Sequence, residues 1–315
     1  MCRHLAYLGP PASLRLLLID PPHSLYRQAW APRRQRHGTV NADGFGIGWY
    51  TSADPVPARY RRGEPIWGDP SLPDLARVTS SGAVLAAVRS ATPGTASGPE
   101  AAAPFGSGPW LFSHNGAAER WREWGEAAFQ SGAGAGSAGL LPLLEALSDS
   151  ALLWALTRQR LRAGRPLDAA LAGTIGAVEA AGGTGRLNLL LTDGRLIAAT
   201  AYGDTLWYRQ TAPAAPGQDQ GASVTVASEP DDDGPGWTEV PDRHVLTATP
   251  SHVRVRPLRD RSHGSELSAI ADRPAVQAAE GGSPAGHAPP PGNHSPAAHA
   301  SSAVKDVRTE GIFSA

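Results

Sequence analysis

The chain has 315 residues with 28 Lys or Arg and 29 Asp or Glu, which gives a formal net charge of −1 at pH 7. A charge so close to zero, with no basic stripe that contains aromatic residues, excludes the surface typical of nucleic-acid-binding proteins. The N-terminus has no charged segment followed by a long apolar one, and the apolar run at residues 14–19 is far too short to span a bilayer. We therefore expect a cytoplasmic protein that binds neither nucleic acid nor membrane.

Strands and one short helix are predicted in the first part of the chain, where apolar runs end in glycine, proline or polar residues. The run CRHLAYLG predicts a buried strand that opens on the N-terminal residue, and SLRLLLIDPP predicts a helix that two prolines end. NADGFGIGWY predicts a glycine-rich turn that leads into a strand. AVLAAVRSATPG predicts an inner strand that carries Arg89 at its end, and WLFSHNG predicts a strand followed by polar residues.

Helices are predicted in the middle of the chain, with strands after them. The predicted helices cover residues 117–129, 140–164 with a capping break at Ser148-Asp149-Ser150, and 166–182, and residues 130–139 are a predicted surface loop. After residue 185 the pattern changes to strands, with a hairpin at Asp193-Gly194. Strands, then helices, then strands indicate sheets covered by helices in one domain, residues 2–258. Residues 259–315 are rich in Ala, Pro, Gly, Ser and His and are predicted to be a disordered tail.

Cys2 is the only cysteine of the chain, so no intramolecular disulfide can form. A free cysteine is most often a small buried apolar residue. Removal of Met1, however, gives Cys2 a free α-amino group with a reference pKa of about 7.7–8.0, so that nucleophile and base lie on one residue. Nothing precedes Cys2 that could build the turn of a Cys-His enzyme, and His4 is as well explained by a structural role as by a catalytic one. No spacing of ligand residues predicts a metal site, and we expect no cofactor.

The SHNG motif contains Asn115 and Gly116, a side-chain amide next to a glycine N–H. Two such donors suit an oxyanion hole, which thioester chemistry at Cys2 requires. Asn-Gly is also a common turn dipeptide, so the motif alone leaves both interpretations open.

Four segments taken together, MCRHLAYLG, NADGFGIGWY, VRSATPG and FSHNG, resemble the class II glutamine amidotransferase domain of the N-terminal nucleophile hydrolases. The resemblance covers about residues 2 to 258. It implies an α+β fold, a four-layer αββα sandwich, and cleavage of a γ-glutamyl amide through a thioester on Cys2. It also implies that Asn115 and Gly116 form the oxyanion hole.

The resemblance further implies which residues hold the substrate. Arg89 matches the arginine that binds the α-carboxylate, Thr92 a hydroxyl that assists it, and Asp149 the aspartate that pairs with the α-ammonium. Asp149 is also a candidate N-cap for the helix that follows, and Arg89 a candidate surface ion pair. The expected partner is therefore a small γ-glutamyl compound, and the sequence predicts no oligomeric state.

The segment at residues 228–250 looks like that of the γ-glutamyl hydrolases of ergothioneine biosynthesis, which remove glutamate from γ-glutamyl-hercynylcysteine S-oxide. The nine tryptophans and the acidic run Asp231-Asp232-Asp233 offer aromatic faces and negative charge to the trimethylammonium group of hercynine, although tryptophans mostly fill cores and acidic runs are usually solvated. No synthase domain follows the amidotransferase-like part, which favours a stand-alone hydrolase. A glutaminase subunit that supplies ammonia to a separate synthase and a catalytically idle binding module remain alternatives.

Overall fold

The computed structural model describes residues 2–92, 94–132, 139–140, 143–212 and 221–258. Most of the predicted loop at 130–139 and all of the predicted tail at 259–315 lie outside the described residues.

The described chain forms two antiparallel sheets. In chain order the strands are β1 (Arg3–Ser13), β2 (Phe45–Trp49), β3 (Ala58–Arg62), β4 (Ser80–Val88), β5 (Phe105–Ser107), β6 (Trp110–Glu119), β7 (Thr184–Thr192), β8 (Ile197–Ala201), β9 (Trp207–Thr211), β10 (Ser223–Ala227), β11 (Trp237–Glu239), β12 (His244–Thr249) and β13 (His252–Pro257). The first sheet has the order β11-β9-β10-β1-β4-β2-β3, and the second has the order β13-β12-β8-β7-β6-β5. The strand that begins directly after Cys2 is therefore the middle strand of its sheet.

Helices cover the outer face of each sheet. They are α1 (Leu14–Leu18), α2 (Leu25–Gln28), α3 (Leu72–Val78), α4 (Trp121–Gln130), α5 (Asp149–Arg162) and α6 (Leu167–Ala180). The first three pack on the first sheet through residues such as Leu14, Leu25 and Leu72, and the last three pack on the second through residues such as Trp124 and Leu152. A third apolar cluster, which includes Ala6, Leu85 and Leu190, fills the space between the sheets. Three apolar layers separate four structural layers, so the αββα sandwich is confirmed.

Local residues fix the start of α5, the start of α4 and the turn between β7 and β8. The Ser148 hydroxyl accepts the backbone N–H of Ala151 and caps α5, while Arg160 and Arg162 lie in the last turn of α5, where cations are favoured. Arg120 has φ of 48° and turns the chain from β6 directly into α4. Gly194 has φ of 84° in the turn between β7 and β8, which confirms the predicted Asp-Gly hairpin.

Three predictions of element boundaries were wrong. The strand β6 does not end before the polar SHNG residues but continues to Glu119, because β7 pairs with it along its whole length. Residues 117–119 therefore belong to that strand, and α4 begins only at Trp121. The described residues 144–147 are not helical, so the predicted helix before the Ser148 break is absent there. Asp149 is the first residue of α5 rather than its cap.

Candidate active site

Two neighbouring strands bring Cys2 next to Arg89. In the antiparallel pairing of β1 with β4, Arg3 lies opposite Val88, so the preceding residue, Cys2, lies beside the residue that follows β4. The Cys2 Sγ is 3.9 Å from the Ser90 carbonyl oxygen. A small cavity next to the thiol is lined by Arg89, Phe105, His114 and their neighbours.

The surroundings of the thiol oppose its ionisation. Cys2 is partly exposed as a residue, but protein atoms surround its sulfur. Burial raises the pKa of the Cys2 thiol, the positive charge of Arg89 acts against that rise, and the negative charge of Asp149 adds to it. A base close to the sulfur is therefore needed to produce the thiolate near neutral pH.

Asn115 comes from the second sheet and is fully buried. Its side-chain amide lies between the Cys2 carbonyl and the Arg3 guanidinium, whose Nη1 is 3.3 Å away. Because a guanidinium only donates and a carbonyl only accepts, we assign the amide oxygen to the Arg3 side and the amide nitrogen to Cys2. The atom that faces Arg3 is also 3.4 Å from the Ser228 Oγ.

Gly116 follows Asn115 where β6 approaches β7 very closely. A Cβ atom at this position would overlap the Arg186 backbone carbonyl and would lie 2.8 Å from the His114 ring. Only glycine fits there without moving one of the strands. The structure therefore places both predicted oxyanion donors on one strand, with the Asn115 amide next to the Cys2 carbonyl.

Arg89 is buried at the end of β4, and backbone and hydroxyl oxygens hold its guanidinium. Its Nη1 donates to the Asp43 carbonyl at 3.2 Å, and its Nη2 donates to the Thr95 hydroxyl at 3.0 Å and to the Ala96 carbonyl at 2.7 Å. Thr92 is exposed, and its backbone carbonyl accepts the Thr95 hydroxyl. In the described structure, Thr95 rather than Thr92 thus provides the hydroxyl in contact with Arg89, and a role for Thr92 at the substrate stays a prediction.

Asp149 is buried at the start of α5, and two backbone N–H groups orient its carboxylate. Oδ2 accepts from Ala118 at 3.0 Å, and Oδ1 accepts from Ser150 at 2.9 Å. Its negative charge is close enough to Cys2 to influence the thiol. The carboxylate is therefore held in place within electrostatic reach of Cys2, with acceptor positions left for a cation.

Sequence reasoning missed several buried polar residues around the site. His114 is held by the Ser150 hydroxyl at Nδ1 (3.0 Å) and by the Arg186 carbonyl at Nε2 (2.9 Å), so its Nε2 donates to that carbonyl. Arg3 is fully buried, although it lies in an apolar strand. A charged residue inside a run of apolar residues was the available signal for Arg3, since such a residue is rarely buried without partners.

The acidic run after β10 is not a free solvated loop. Arg209 pairs with Asp231 and Asp232, while Arg33 and His23 pair with Asp233. Of these residues, Arg33, Asp232 and Asp233 border an open pocket of about 170 Å³ that Trp207 and Trp237 also line. The Arg34 guanidinium lies 5.5 Å from the centre of the Trp207 ring, and the Arg209 guanidinium 4.7 Å from that of Trp237.

The pocket is linked to the nucleophile through two consecutive residues. The Ser228 hydroxyl accepts the backbone N–H of His4 at 3.0 Å, and the Glu229 carboxylate accepts the backbone N–H groups of Arg33 and Arg34. Ser228 thus contacts β1, the strand that follows Cys2, and Glu229 forms part of the pocket wall.

The described part of the chain contains no group of three or more His, Cys, Asp or Glu residues arranged to hold a metal ion. None of its helices is both long and apolar enough to cross a membrane.

Known proteins resemble this chain in sequence and fold. The profile of the family described as glutamine amidotransferases class-II matches residues 22–233. A gamma-glutamyl-hercynylcysteine sulfoxide hydrolase of Mycolicibacterium smegmatis is 42% identical over 261 residues, which are 82% of this chain and 100% of that protein. A protein of the same name from Mycobacterium tuberculosis is 40% identical over 84% of this chain and 99% of its own length. A glutamine aminotransferase class-II domain protein from Silicibacter pomeroyi has the same fold, with a TM-score of 0.56 and 24% identity over 82% of this chain and 100% of that one.

Proposed function

Because the chain belongs to the class II glutamine amidotransferases, we propose that it hydrolyses the γ-glutamyl amide of γ-glutamyl-hercynylcysteine sulfoxide. The products are glutamate and hercynylcysteine sulfoxide, which places the reaction in ergothioneine biosynthesis. The observation that carries this proposal is the 42% identity with a hydrolase of that name along its entire length. The meeting of Cys2, Arg89, Asn115 and Asp149 at one end of the sandwich supports it.

The glutamyl group binds through its α-carboxylate and α-ammonium. Arg89 presents a planar donor to the carboxylate, and Thr92 adds a hydroxyl. Asp149 accepts from the α-ammonium with the acceptor positions that Ala118 and Ser150 leave free. This binding presents the γ-carbonyl carbon to the sulfur of Cys2, as an effective nucleophilic attack requires.

The first chemical step forms a thioester. Once Met1 has been removed, the free α-amine of Cys2 takes the thiol proton and the sulfur attacks the γ-carbonyl carbon. The Asn115 amide nitrogen and the Gly116 N–H stabilise the oxyanion. The intermediate collapses, the C–N bond breaks, and the protonated α-amine gives its proton to the leaving nitrogen.

The second step releases glutamate. Water attacks the thioester carbon, its proton goes to the α-amine, and the same donors hold the new oxyanion. The C–S bond then breaks, and the sulfur recovers the proton from the amine. The enzyme returns to its starting state without any cofactor.

The amine part of the substrate extends into the pocket that Trp207 and Trp237 line. Hercynine carries a trimethylammonium group, and indole rings attract cations. Both rings contact an arginine, Arg34 at Trp207 and Arg209 at Trp237, so the trimethylammonium group takes the place of one guanidinium or binds the opposite ring face.

The test of the nucleophile uses Cys2→Ala in protein whose intact mass shows that Met1 is absent. We expect no hydrolysis above background, because the attacking atom is missing. A second sample of wild-type sequence that retains Met1 should be equally inactive, because its Cys2 nitrogen is part of an amide. Hydrolysis by either sample contradicts the mechanism.

The test of the substrate compares hydrolysis of γ-glutamyl-hercynylcysteine sulfoxide with that of free glutamine. We expect a higher kcat/KM for the sulfoxide, and Trp207→Leu should lower that value while it leaves the value for glutamine unchanged. Trp67→Leu, at an exposed tryptophan outside the pocket, serves as the control. A preference for glutamine would instead identify a glutaminase subunit, and a Cys2 thiol that an electrophilic glutamine analogue leaves unmodified would identify an idle binding module.

A further inference from the structure

Arg3 is a buried cation directly next to the nucleophile, and the proposed mechanism gives it no task. It is among the largest fully buried side chains of the described structure. Burial lowers the pKa of its guanidinium, and the carboxylates of Glu229 and Asp204 act in the opposite direction. An arginine is almost never buried completely unless it has partners, so the contacts of this one are informative.

The guanidinium contacts two side-chain amides. Its Nε donates to the Gln35 Oε1 at 3.2 Å, and its Nη1 lies 3.3 Å from the Asn115 amide oxygen. The same Gln35 oxygen accepts from the Asn41 Nδ2 at 3.1 Å, and this fixes Gln35 as an acceptor toward Arg3. The Arg3 Nη2 has no hydrogen-bond partner among the described residues, so two contacts hold the head of the side chain.

The orientation of the Asn115 amide matters because its two ends have opposite character. With its oxygen toward Arg3, its nitrogen donates to the Cys2 carbonyl and has a second N–H for the substrate oxyanion. Rotated by half a turn, the same side chain would present an oxygen to the oxyanion and would repel it. The Arg3 guanidinium only donates hydrogen bonds, so it cannot accept from the amide nitrogen. Its position beside the amide therefore excludes the second orientation.

We propose that Arg3 is a positioning residue for the oxyanion hole, where its guanidinium holds the Asn115 amide with the N–H groups toward Cys2. The Ser228 hydroxyl accepts from the His4 N–H and lies near the same amide oxygen, so it acts in the same direction as a weaker donor. Arg3 contacts neither the substrate nor the sulfur in this role. The inference rests on the proposed function, because it assigns a task within the same reaction.

The test is a double-mutant cycle with Arg3→Met and Asn115→Ala, measured as kcat and KM for the γ-glutamyl substrate. If Arg3 acts through Asn115, each single variant lowers kcat by about 10²–10³-fold, the cost typical of one lost oxyanion donor. The double variant is then no slower than the slower single variant, and KM stays within a few-fold of the wild-type value. Arg3→Lys, which keeps a donor-only head, retains most of the activity.

Arg160→Met is the matched control, because this largely buried arginine donates to the Leu156 carbonyl within α5 and should leave kcat unchanged. The proposal is wrong if the fold-decreases in kcat of the two single variants multiply in the double variant. It is also wrong if Arg3→Met keeps the wild-type kcat. If circular dichroism shows that Arg3→Met is unfolded, Arg3→Gln replaces it, since its amide can accept from Asn115 and allows the wrong orientation.

Different results contradict the proposed substrate and the proposed role of Arg3. A wild-type protein that does not hydrolyse the γ-glutamyl sulfoxide contradicts the proposed substrate, and the same cycle is then measured as the rate at which a diazoketone analogue of glutamine modifies Cys2. A wild-type protein that hydrolyses the substrate, together with losses that multiply, contradicts the role of Arg3 alone.

Discussion

At the scale of single residues, the site depends on buried polar groups whose protonation is fixed by their surroundings. His4 is fully buried, and its Nδ1 lies 3.2 Å from the Ser113 hydroxyl. Burial lowers the pKa of His4 to about 3, and the positive charges of His114 and Arg3 act in the same direction. The ring is therefore neutral in the folded protein at every pH in the working range.

This neutral histidine makes stability depend on pH. An unfolded chain binds a proton at His4 near pH 6.5, whereas the folded chain does so only near pH 3, so the free energy of unfolding falls as the pH falls between these values. One such group contributes a slope of at most about 1.4 kcal/mol per pH unit. We expect His4→Gln to flatten the decline between pH 6.5 and 4, measured by urea unfolding. His252→Gln, at an exposed position, should keep the wild-type slope, and equal slopes for all three proteins would contradict the assignment.

The candidate site residues that lie in recognisable motifs could be predicted from the sequence. The residues that form hydrogen bonds with them and fix their side chains could not. Cys2, Arg89 and Asn115 stand at strand ends or in short motifs, and the structure brings them together. Thr95 and Arg3 contact the site only because of loop geometry and pairing between distant segments. The contact of Thr95 has no local signal in the sequence, and for Arg3 the sequence marks only a charge within an apolar run and not its partners.

At the scale of elements, the pairing of β6 with β7 fixes the backbone that carries the proposed oxyanion donors. The two strands approach so closely at Gly116 that a Cβ atom would meet the Arg186 carbonyl. The polar SHNG residues concealed this pairing, because alternation of apolar and polar residues is the usual signal of a strand and this stretch lacks it. The strands β1 and β4 also lack alternation, but their continuous apolar runs predicted buried strands, and this prediction was confirmed.

Two glycine substitutions test this close approach. Gly116→Ala should lower the free energy of unfolding by about 1–3 kcal/mol or more, because one strand must move to admit the methyl group. Gly176→Ala, in the middle of α6 with open space around its missing Cβ, should raise it by about 0.5–1 kcal/mol through helix propensity. Both are measured by urea unfolding, and a neutral Gly116→Ala would show that the strands separate easily.

At the scale of the whole molecule, β13 is the last element of the described fold and is paired within its sheet. β13 pairs along its length with β12, and the backbone N–H of Leu258 donates to the Arg243 carbonyl. The Mycolicibacterium smegmatis relative is matched along its full length by 82% of this chain. The sequence composition alone separates residues 259–315 from this folded part.

A truncation tests the proposed domain boundary. Protein that ends at Leu258 should keep the wild-type kcat/KM and Tm, because every described element is retained. Protein that ends at Ser251 should lose stability, because it lacks β13 together with Val253 and Val255, which pack against the core between the sheets. A marked loss of activity or Tm in the longer form would assign a function to residues 259–315.

The middle position of β1 also sets an order of events during synthesis. Its two neighbours are β4, which ends at Val88, and β10, which ends at Ala227, so the strand is enclosed only after more than two-thirds of the chain has been made. At about 5–20 residues per second, the ribosome needs roughly 10–45 s to reach that point. During this interval β1 is not yet paired on both sides, and pairing with β10 then covers its second edge at residues 5–8. The long-range topology thus gives an aminopeptidase time to carry out the proposed removal of Met1 before β1 is enclosed.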